Sequence, residues 1–485
     1  MNSIEFPSVI PTPKSVKLQG GNAVKITASI YSRDIAFDRY TETFIRYVKK
    51  LNGIDFEIAD GGIELLRDTT LECGQYRIIS ADDKVQLSAS DDDGITAGFA
   101  TLHQMMTAKS DGIYFPACTV TDKPDCGYRA LMIDLARKWH TVEEITDYID
   151  LCYLYKIKFI HLHFTDSQGY TLPSDIFPRL PTVGKSYTKA DIEHLNAYAM
   201  ARNIEIIPEL DIPGHSAKMK AAYPELFDHS PIEGVCDEHV LCIGKPYLLE
   251  NLKRLITEIM EMFPNSRYLH IGGDEANFET CLNCRDCLAY MQELGLDSVK
   301  ALYTRFIKDV TEMVLSLGRT PIVWEGFPKE GAETLSRDII VTAWESLYHL
   351  PNELIEEGFT VTNSSWLPLY IVPPTHKHVA SGRWFPEDIL AWNIYTWRNW
   401  WKKSFAAEKP IVVDPTDKVI GGTLCAWECT YEEDIIPVLE NLSAFSEKLW
   451  NARCGVPKDD IVPAIKNLWE LSKKLIDAKN NNFCK

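Results

Sequence analysis

The sequence predicts a (β/α)8 barrel preceded by a small α/β domain with a mixed sheet. Three observations predict it. After about residue 128, eight short apolar runs alternate with mostly amphipathic helical stretches. Those runs end in acids, an arginine and tryptophans rather than in ordinary turn residues. The segment Thr121-Asp-Lys-Pro-Asp-Cys-Gly127 is a polar, Pro- and Gly-containing boundary between this part and what precedes it. It divides the chain into an N-terminal domain, residues 1–122, and a barrel domain, residues 123–485, that includes the C-terminal helices.

In the first domain, strands are read at Lys25–Ser29, Phe56–Ala59, Tyr76–Ser80, Val85–Ser88 and Ile113–Val120. Two amphipathic helices interrupt them. One carries Phe37, Tyr40, Phe44, Ile45, Val48 and Leu51, the other Ile95, Phe99, Leu102 and Met106, each at helical spacing. Nothing in this domain has the chemistry of a site. In the second domain the strands are Ala130–Leu135, Phe159–Phe164, Ile204–Leu210, Tyr268–Gly273, Pro321–Trp324, Ile339–Trp344, Phe359–Asn363 and Gly421–Trp427. The helix with Leu248, Leu252, Leu255, Ile259 and Phe263 and the one with Leu302, Phe306, Val310, Met313 and Leu317 exemplify the stretches between them. Glu432–Trp450 and Ile461–Asp477 are the helices that close and cover the barrel.

Composition narrows the class. The 485 residues are 45% hydrophobic and 25% charged, an ordinary globular balance. No apolar run is long enough for a membrane span. A formal charge of −19 argues against nucleic acid or an anionic membrane as the main partner. The N-terminus has no basic region followed by an apolar core, which reads as cytoplasmic, or as secreted or periplasmic where a leader has been removed. Thirteen scattered cysteines argue for reduced thiols rather than a disulfide framework. Twelve tryptophans, several near strand ends, suit a site that packs sugar rings. The oligomeric state stays open, a homodimer included.

Barrel enzymes build their sites at the C-terminal ends of the strands. Here those ends read Asp134-Leu-Ala-Arg137, His163-Phe-Thr-Asp166 and Glu209-Leu-Asp211-Ile-Pro-Gly-His215. Trp324-Glu325, Trp344-Glu345 and Trp427-Glu428 follow. Strand four supplies the centre, Leu269-His270-Ile-Gly-Gly-Asp274-Glu275. Its glycines allow close approach to the backbone, and two adjacent acids follow. Neighbouring side chains on a strand point to opposite faces, so the two acids meet different surroundings and take different pKa values. One carboxyl that stays protonated and one that stays charged is what a proton donor and its partner need. Aromatic walls, a cation for hydroxyls and a carboxyl for the leaving oxygen suit hydrolysis of a neutral sugar linkage.

His270-Ile-Gly-Gly-Asp-Glu275, with Pro208-Glu-Leu-Asp-Ile-Pro-Gly-His215 upstream, resembles glycoside hydrolase family 20, the β-N-acetylhexosaminidases. The resemblance covers most of the chain. It implies a retaining mechanism in which the substrate's own 2-acetamido oxygen attacks the anomeric carbon, with no cofactor and no metal. It implies that Glu275 is the general acid and base and that Asp274 orients the acetamido group. Arg137 resembles the arginine that holds the sugar hydroxyls, and Trp324, Trp344 and Trp427 resemble the aromatic walls. Tyr370, in Trp366-Leu-Pro-Leu-Tyr370, resembles the tyrosine that bonds the acetamido carbonyl. Asp166 and His215, with Asp211 beside them and His270 at the head of the motif, resemble residues that support the proton donor.

Two positions depart from the family pattern. Where the family has an Asp near O6 of the sugar, this chain has Val372. Where it has Trp-x-Glu near O4, Glu428 directly follows Trp427. Both affect recognition at C4 and C6, and neither touches the acetamido chemistry. Cys281-x2-Cys284-x2-Cys287, with Cys236 or Cys242 as a fourth ligand, has the spacing of a zinc or iron–sulfur site. Since the implied reaction needs no metal, it is read as a thiol-lined loop. His376-Lys377-His378 is read as a solvated loop, with contact to an anionic substituent as its functional alternative. Two other functions stay open on the residues alone: a metal-dependent barrel hydrolase, and a carbohydrate-binding protein without turnover.

Overall fold

The computed structural model describes residues 6–20, 23–232, 234–375, 384–453 and 458–476. Eight parallel strands form the closed barrel: β1 (Tyr128–Asp134), β2 (Phe159–His163), β3 (Glu205–Glu209), β4 (Tyr268–His270), β5 (Thr320–Trp324), β6 (Ile340–Ala343), β7 (Thr360–Asn363) and β8 (Val419–Ala426). Pairing of β8 with β1, Tyr128 opposite Gly421 through Ile133 opposite Ala426, completes the circle. Every residue of β1 and β2 is buried, as expected of strands with an interior on one side and helices on the other. All eight strands read from the sequence are present. No helix among the described residues is long and apolar enough to cross a membrane.

The register matters for the site. Asp134 lies opposite His163, His163 opposite Glu209, and Glu209 opposite His270. Four strands thus present acid, imidazole, acid and imidazole at one level, at their C-terminal ends. The helices that hold these strands start with identifiable signals. At the helix after β1, Val142–Leu154, the Thr141 hydroxyl accepts the Glu144 amide while the Glu144 carboxylate accepts the Thr141 amide. Between β5 and β6 only one 3-10 turn, Ala332–Thr334, replaces a helix.

The N-terminal domain carries a seven-stranded mixed sheet in the order Ser15–Leu18, Cys118–Asp122, Tyr76–Ala81, Lys84–Ala89, Ile63–Arg67, Ser29–Ser32 and Glu57–Ile58. The first four strands pair antiparallel and the rest parallel. A smaller sheet pairs Val24–Ile26, Gly112–Phe115 and Thr107–Lys109. Several boundaries differ from the sequence reading. The run 25–29 is two strands in different sheets, and the run 113–120 breaks at Pro116, which has no N–H for a ladder. Ser15–Leu18, Ile63–Arg67 and Thr107–Lys109 escaped it. Ile63–Arg67 lacks strict alternation because it is a central strand, paired on both edges with Ser29–Ser32 and Lys84–Ala89, that also buries Glu64, whose carboxylate takes Tyr31, Arg33 and Gln86.

The two helices of this domain, α1 (Ile35–Asn52) and α2 (Asp92–Met105), lie between its sheet and the barrel. At the junction, Asp150 is buried and receives Tyr47 Oη at 2.5 Å, Arg202 Nε at 2.9 Å and Lys50 Nζ at 3.2 Å. A buried carboxylate needs such partners, because removing them leaves a charge out of water. The last helices, Tyr431–Trp450 and Lys458–Ile476, pack on α3 (Val142–Leu154), and the second also reaches α1. His376-Lys377-His378 lies outside the described residues.

Candidate active site

Above the C-terminal ends of the strands lies a cleft of about 450 Å³. Arg137, Asp211, His215, Asp274, Glu275, Trp344, Tyr370, Val372, Trp427 and Glu428 line it. So does Glu345, one of the strand-end candidates, and so do Trp366, Asn399, Trp400 and Trp401, to which the sequence reading gave no role in the site.

Below the cleft, the register row becomes a network. Glu209, fully buried, accepts His161 Nε2 at 2.9 Å, His163 Nδ1 at 2.6 Å and Trp324 Nε1 at 2.7 Å. His270 Nδ1 lies 3.1 Å from the same carboxylate and accepts the amide of Gly272. Burial holds His270 down at about 4, so it is neutral at physiological pH. For His163 burial also opposes charge, but Glu209 and Asp166 outweigh it and hold it well above the usual imidazole range. His163 therefore donates from both nitrogens, the second reaching Asp166 Oδ2 at 3.0 Å.

That Asp166 oxygen also takes Arg137 Nη2 at 2.6 Å and His215 Nδ1 at 3.3 Å. Burial resists its charge, yet the bonds from His163 and His215 and the Arg137 guanidinium keep it ionised. Arg137 is further fixed by Asp134 at 3.1 Å and lies 5.2 Å from the centre of the Trp427 ring. The other nitrogen of His215 reaches the acidic pair, 3.4 Å from Glu275 Oε2 and 3.9 Å from Asp274 Oδ2. Burial disfavours a charged His215, but Asp211, Asp166 and Glu275 together hold it well above the usual range.

The acidic pair has opposite surroundings. Asp274 is buried, and its Oδ1 has no hydrogen-bond partner among the described residues. Burial pushes it up to about 7, with His215 pulling it down and Glu275 pushing it up. The Glu275 side chain is 55% exposed, and the hydrogen bond from His215 lowers its carboxyl. In the chain alone the proton therefore prefers Asp274. This reverses the order that the family resemblance implies, and the reason is position: Asp274 is buried in the cleft wall while Glu275 is half exposed and lies closer to the His215 imidazolium. Asp211, buried beside them, is raised well above the usual carboxylate range, first by burial and then by its closeness to the Asp274 carboxyl.

Local backbone geometry makes this packing possible. Gly272 has φ +68°, and a Cβ there would sit 1.7 Å from Asp211 Oδ1, so no other residue fits. His215, Glu275 and Glu428 each adopt positive φ without being glycine, a conformation that persists only where surrounding structure enforces it.

The walls are aromatic. Trp344 and Tyr370 are near-parallel at 6.1 Å, Trp366 is 4.5 Å from Tyr370, and Trp427 is 6.2 Å from Tyr370. Tyr370 is placed by a two-residue strand, Tyr370–Ile371, that pairs with Cys425 and Ala426 of β8. Val372 is 4% exposed and packs with these rings. Trp324 departs from its expected place. It is 1% exposed, does not line the cleft, and lies beneath Trp344 and Trp427 with its N–H on Glu209. Its strand ends one layer lower, so it supports the walls rather than forming one.

The Trp-Glu pairs also diverge. Glu325 is fully buried and accepts the amides of residues 345 through 349 at 2.7–3.2 Å. It holds the loop that carries Glu345 into the cleft. Burial, with the charges of Glu325, Glu275 and Asp274, pushes Glu345 up to about 9. At neutral pH Glu345 thus offers the cleft an O–H donor rather than a negative charge.

Histidine and acid sets such as His161, Glu209 and His270 have ligand-like proximity. His161 and His163 are committed to Glu209, and His163 and His215 to Asp166, an arrangement that orients these imidazoles.

The catalytic-domain model of glycosyl hydrolase family 20 matches residues 126–453, and the model of that family's domain 2 matches residues 6–123. The chain belongs to glycosyl hydrolase family 20. Among family 20 relatives, a β-hexosaminidase of Akkermansia muciniphila is 31% identical over 288 residues, 54% of this chain and 58% of that protein. A β-hexosaminidase of Vibrio furnissii is 30% identical over 318 residues, 60% of this chain and 51% of that protein. The chain thus matches little more than half the length of these relatives. β-Hexosaminidase subunit A2 of Dictyostelium discoideum is 26% identical over 92% of this chain and 83% of its own. The fold is shared with a GH20 exo-β-N-acetylglucosaminidase from Vibrio harveyi in complex with N-acetylglucosamine. Its TM-score is 0.81 at 22% identity, over 97% of this chain and 78% of that one. It is shared as well with a β-N-acetylhexosaminidase from Bacteroides fragilis, with TM-score 0.80 at 21% identity over 96% of both chains.

Proposed function

We propose that this protein is an exo-acting, retaining β-N-acetylhexosaminidase that removes terminal β-linked GlcNAc or GalNAc by substrate-assisted catalysis. The observation that carries this reading is the buried Asp274 carboxylate. Asp274 lines a cleft walled by Trp344, Tyr370 and Trp427, beside the half-exposed Glu275, and its buried Oδ1 has no hydrogen-bond partner among the described residues. Such a cleft offers one fixed acceptor for an amide N–H and one accessible carboxyl for a leaving oxygen. Family membership and the names of the relatives support it.

In this mechanism Arg137 and Glu428 hold sugar hydroxyls, and Trp344, Tyr370 and Trp427 enclose the ring and acetamido group. Tyr370 Oη donates to the acetamido carbonyl. Asp274 accepts the acetamido N–H, which fixes the carbonyl oxygen for attack on the anomeric carbon. Glu275 gives its proton to the glycosidic oxygen as that bond breaks. The cyclised intermediate carries positive charge beside Asp274, and a fixed carboxylate there stabilises it. Glu275 then takes a proton from water as the ring opens. The sugar also corrects the order of acidities. It shields Glu275 from solvent, which raises its pKa, while the developing cation lowers that of Asp274.

The direct test is release of nitrophenol from β-GlcNAc, β-GalNAc and 6-sulfated β-GlcNAc glycosides. Turnover of the first two is expected, and a folded protein that releases neither refutes the reading. The same screen tests Val372. A valine beside C6 forgoes a hydrogen bond of about 0.5–1.5 kcal/mol but places no negative charge there. Val372→Asp is expected to lower kcat/KM for the 6-sulfated glycoside relative to the unsubstituted one. An unchanged ratio means that Val372 does not face C6.

The pair also sets the pH dependence. With one proton between them, the productive form has it on Glu275 and the charge on Asp274. Above about 7 that proton is lost, so kcat/KM on a poor leaving group falls about tenfold per pH unit. In Asp274→Asn the like charge is gone, Glu275 titrates under His215 alone, and the alkaline limb moves to lower pH. A limb that stays in place would assign it to another group.

A further inference from the structure

Behind the cleft, four buried side chains meet: His229, Cys242, Cys284 and Cys287, whose ligand atoms all lie within 4.8 Å of one another. Cys242 Sγ is 3.5 Å from Cys284 Sγ and 3.7 Å from Cys287 Sγ. A tetrahedron of 2.3 Å zinc–sulfur bonds has sulfur–sulfur edges of about 3.8 Å, so these sulfurs stand where zinc would hold them. A disulfide would bring two of them to about 2.05 Å. The histidine is set as a ligand would be. Its Nε2 lies 3.1 Å from the Val240 carbonyl, which fixes the tautomer with the proton there. Its Nδ1 is buried without a hydrogen bond, and it is the nitrogen left for the sulfurs. The Ser230 amide donates to Cys284 Sγ at 3.3 Å, a contact that favours a thiolate.

We infer that these four residues form a structural zinc site of the Cys3His type. The sequence pattern pointed to Cys281, Cys284 and Cys287, and only the last two belong. Cys281 is buried next to Cys287 but is not among the four whose ligand atoms converge, Cys236 is only partly buried and also outside the set, and His229 was not foreseen because it precedes the cysteine run by a long loop. The set joins the loop after β3 to the loop after β4. Cys242 and His229 come from the first, and Cys284 and Cys287 flank the start of the helix Arg285–Leu294 in the second. Contacts already draw these loops together: Ile232 N to Asn283 O, Arg285 N to Ser230 O, and Ser230 Oγ to Asp286 at 2.6 Å. Gly244 approaches so closely that a Cβ would lie 2.5 Å from the Cys287 Cα.

The role follows from the ligand count. Four protein ligands fill a tetrahedron and leave no position for water, so the ion would not take part in hydrolysis. It would instead fix geometry. Leu241 N bonds Pro213 O and Ser216 N bonds His239 O, which ties the His215 turn to the strand of chain leading into Cys242. The same ion would hold the loop that starts at Glu275. One metal would then set the approach of His215 to Glu275 from behind.

The test uses the full chain, purified without chelator. Elemental analysis is expected to find zinc at one equivalent per chain. Exchange with cobalt(II) should give the visible bands of tetrahedral cobalt and a thiolate-to-cobalt charge-transfer band in the near ultraviolet. Cys284→Ser and His229→Ala should lose the metal, while Cys73→Ser, at an exposed cysteine of the N-terminal domain, should keep it. Removing the metal should lower Tm, because the binding energy is part of the folding energy. If the variants fail to fold, the wild-type cobalt spectrum decides alone. With the thiols shown to be reduced, a chain that carries no stoichiometric metal and gives no thiolate–cobalt band overturns the inference. So does a native Cys242–Cys284 disulfide. None of these readouts depends on glycosidase activity.

Discussion

Glu275→Gln is expected to slow hydrolysis of a β-linked GlcNAc disaccharide by about 10²–10⁴-fold, the usual contribution of a positioned proton donor. The loss comes from the leaving group. A sugar alkoxide is a poor leaving group and departs only as its oxygen is protonated. Glutamine keeps the size and hydrogen-bonding reach of the side chain and has no proton to give. A nitrophenolate needs far less help, so the same variant should retain much more activity on the activated glycoside. In the chain alone His215 Nε2 lies 3.4 Å from the Glu275 carboxylate, and a glutamine carbonyl can accept the same contact, which keeps the wild-type loop a fair reference for the variant. Equal losses on the two substrates would remove Glu275 from the donor role and point to damage in the loop.

The second large effect concerns Asp274. A β-glucoside that lacks the 2-acetamido group should be inert, because the attacking oxygen is missing. Turnover of that glucoside at a comparable rate would require an enzyme nucleophile and end the substrate-assisted reading. A thiazoline mimic of the cyclised intermediate should bind the wild type tightly and Asp274→Ala far more weakly. Truncating one partner of a buried, hydrogen-bonded charge pair costs about 2–5 kcal/mol, roughly thirty- to several-thousand-fold in affinity. Binding that changes less than tenfold would place the acetamido group away from Asp274.

Much of this was legible in the chain. Eight strands, their helices and the polar strand ends follow from periodicity and punctuation, and Asp274-Glu275 stand out because two glycines precede them. What periodicity gives is the face a side chain takes, not its depth. Trp324-Glu325 and Trp344-Glu345 look alike in sequence. The first pair lies a layer lower, with its indole on Glu209 and its carboxylate on five loop amides. The second opens on the cleft. Glu209 was similarly hidden, since only the register of neighbouring strands shows that it meets three histidines. Asn399, Trp400 and Trp401 sit in a segment without strand or helix period, where no local rule sets direction. Their one signal was density, with Trp397, Trp400 and Trp401 close together. The acidity order of the pair was beyond sequence altogether, because it depends on which carboxyl faces the imidazolium of His215.

The long stretch between β7 and β8 bears on how this protein can diverge. The groups proposed to react, Asp274, Glu275 and the row beneath them, are locked to strand register and to one another, so few exchanges there leave the others undisturbed. Tyr370, Val372, Asn399, Trp400 and Trp401 belong to a detour that is tied together by Asn363 on Ile394 and Thr396 and by Ser365 on Arg398, and tied to the barrel where Tyr370–Ile371 pairs with β8 and Asn399 donates to the Glu345 carbonyl. Between those ties, an exchange at a position such as Val372 leaves the strand pairing and the Tyr370 contact in place. On the proposed function, selectivity can then vary at such positions while the groups proposed to react stay as they are.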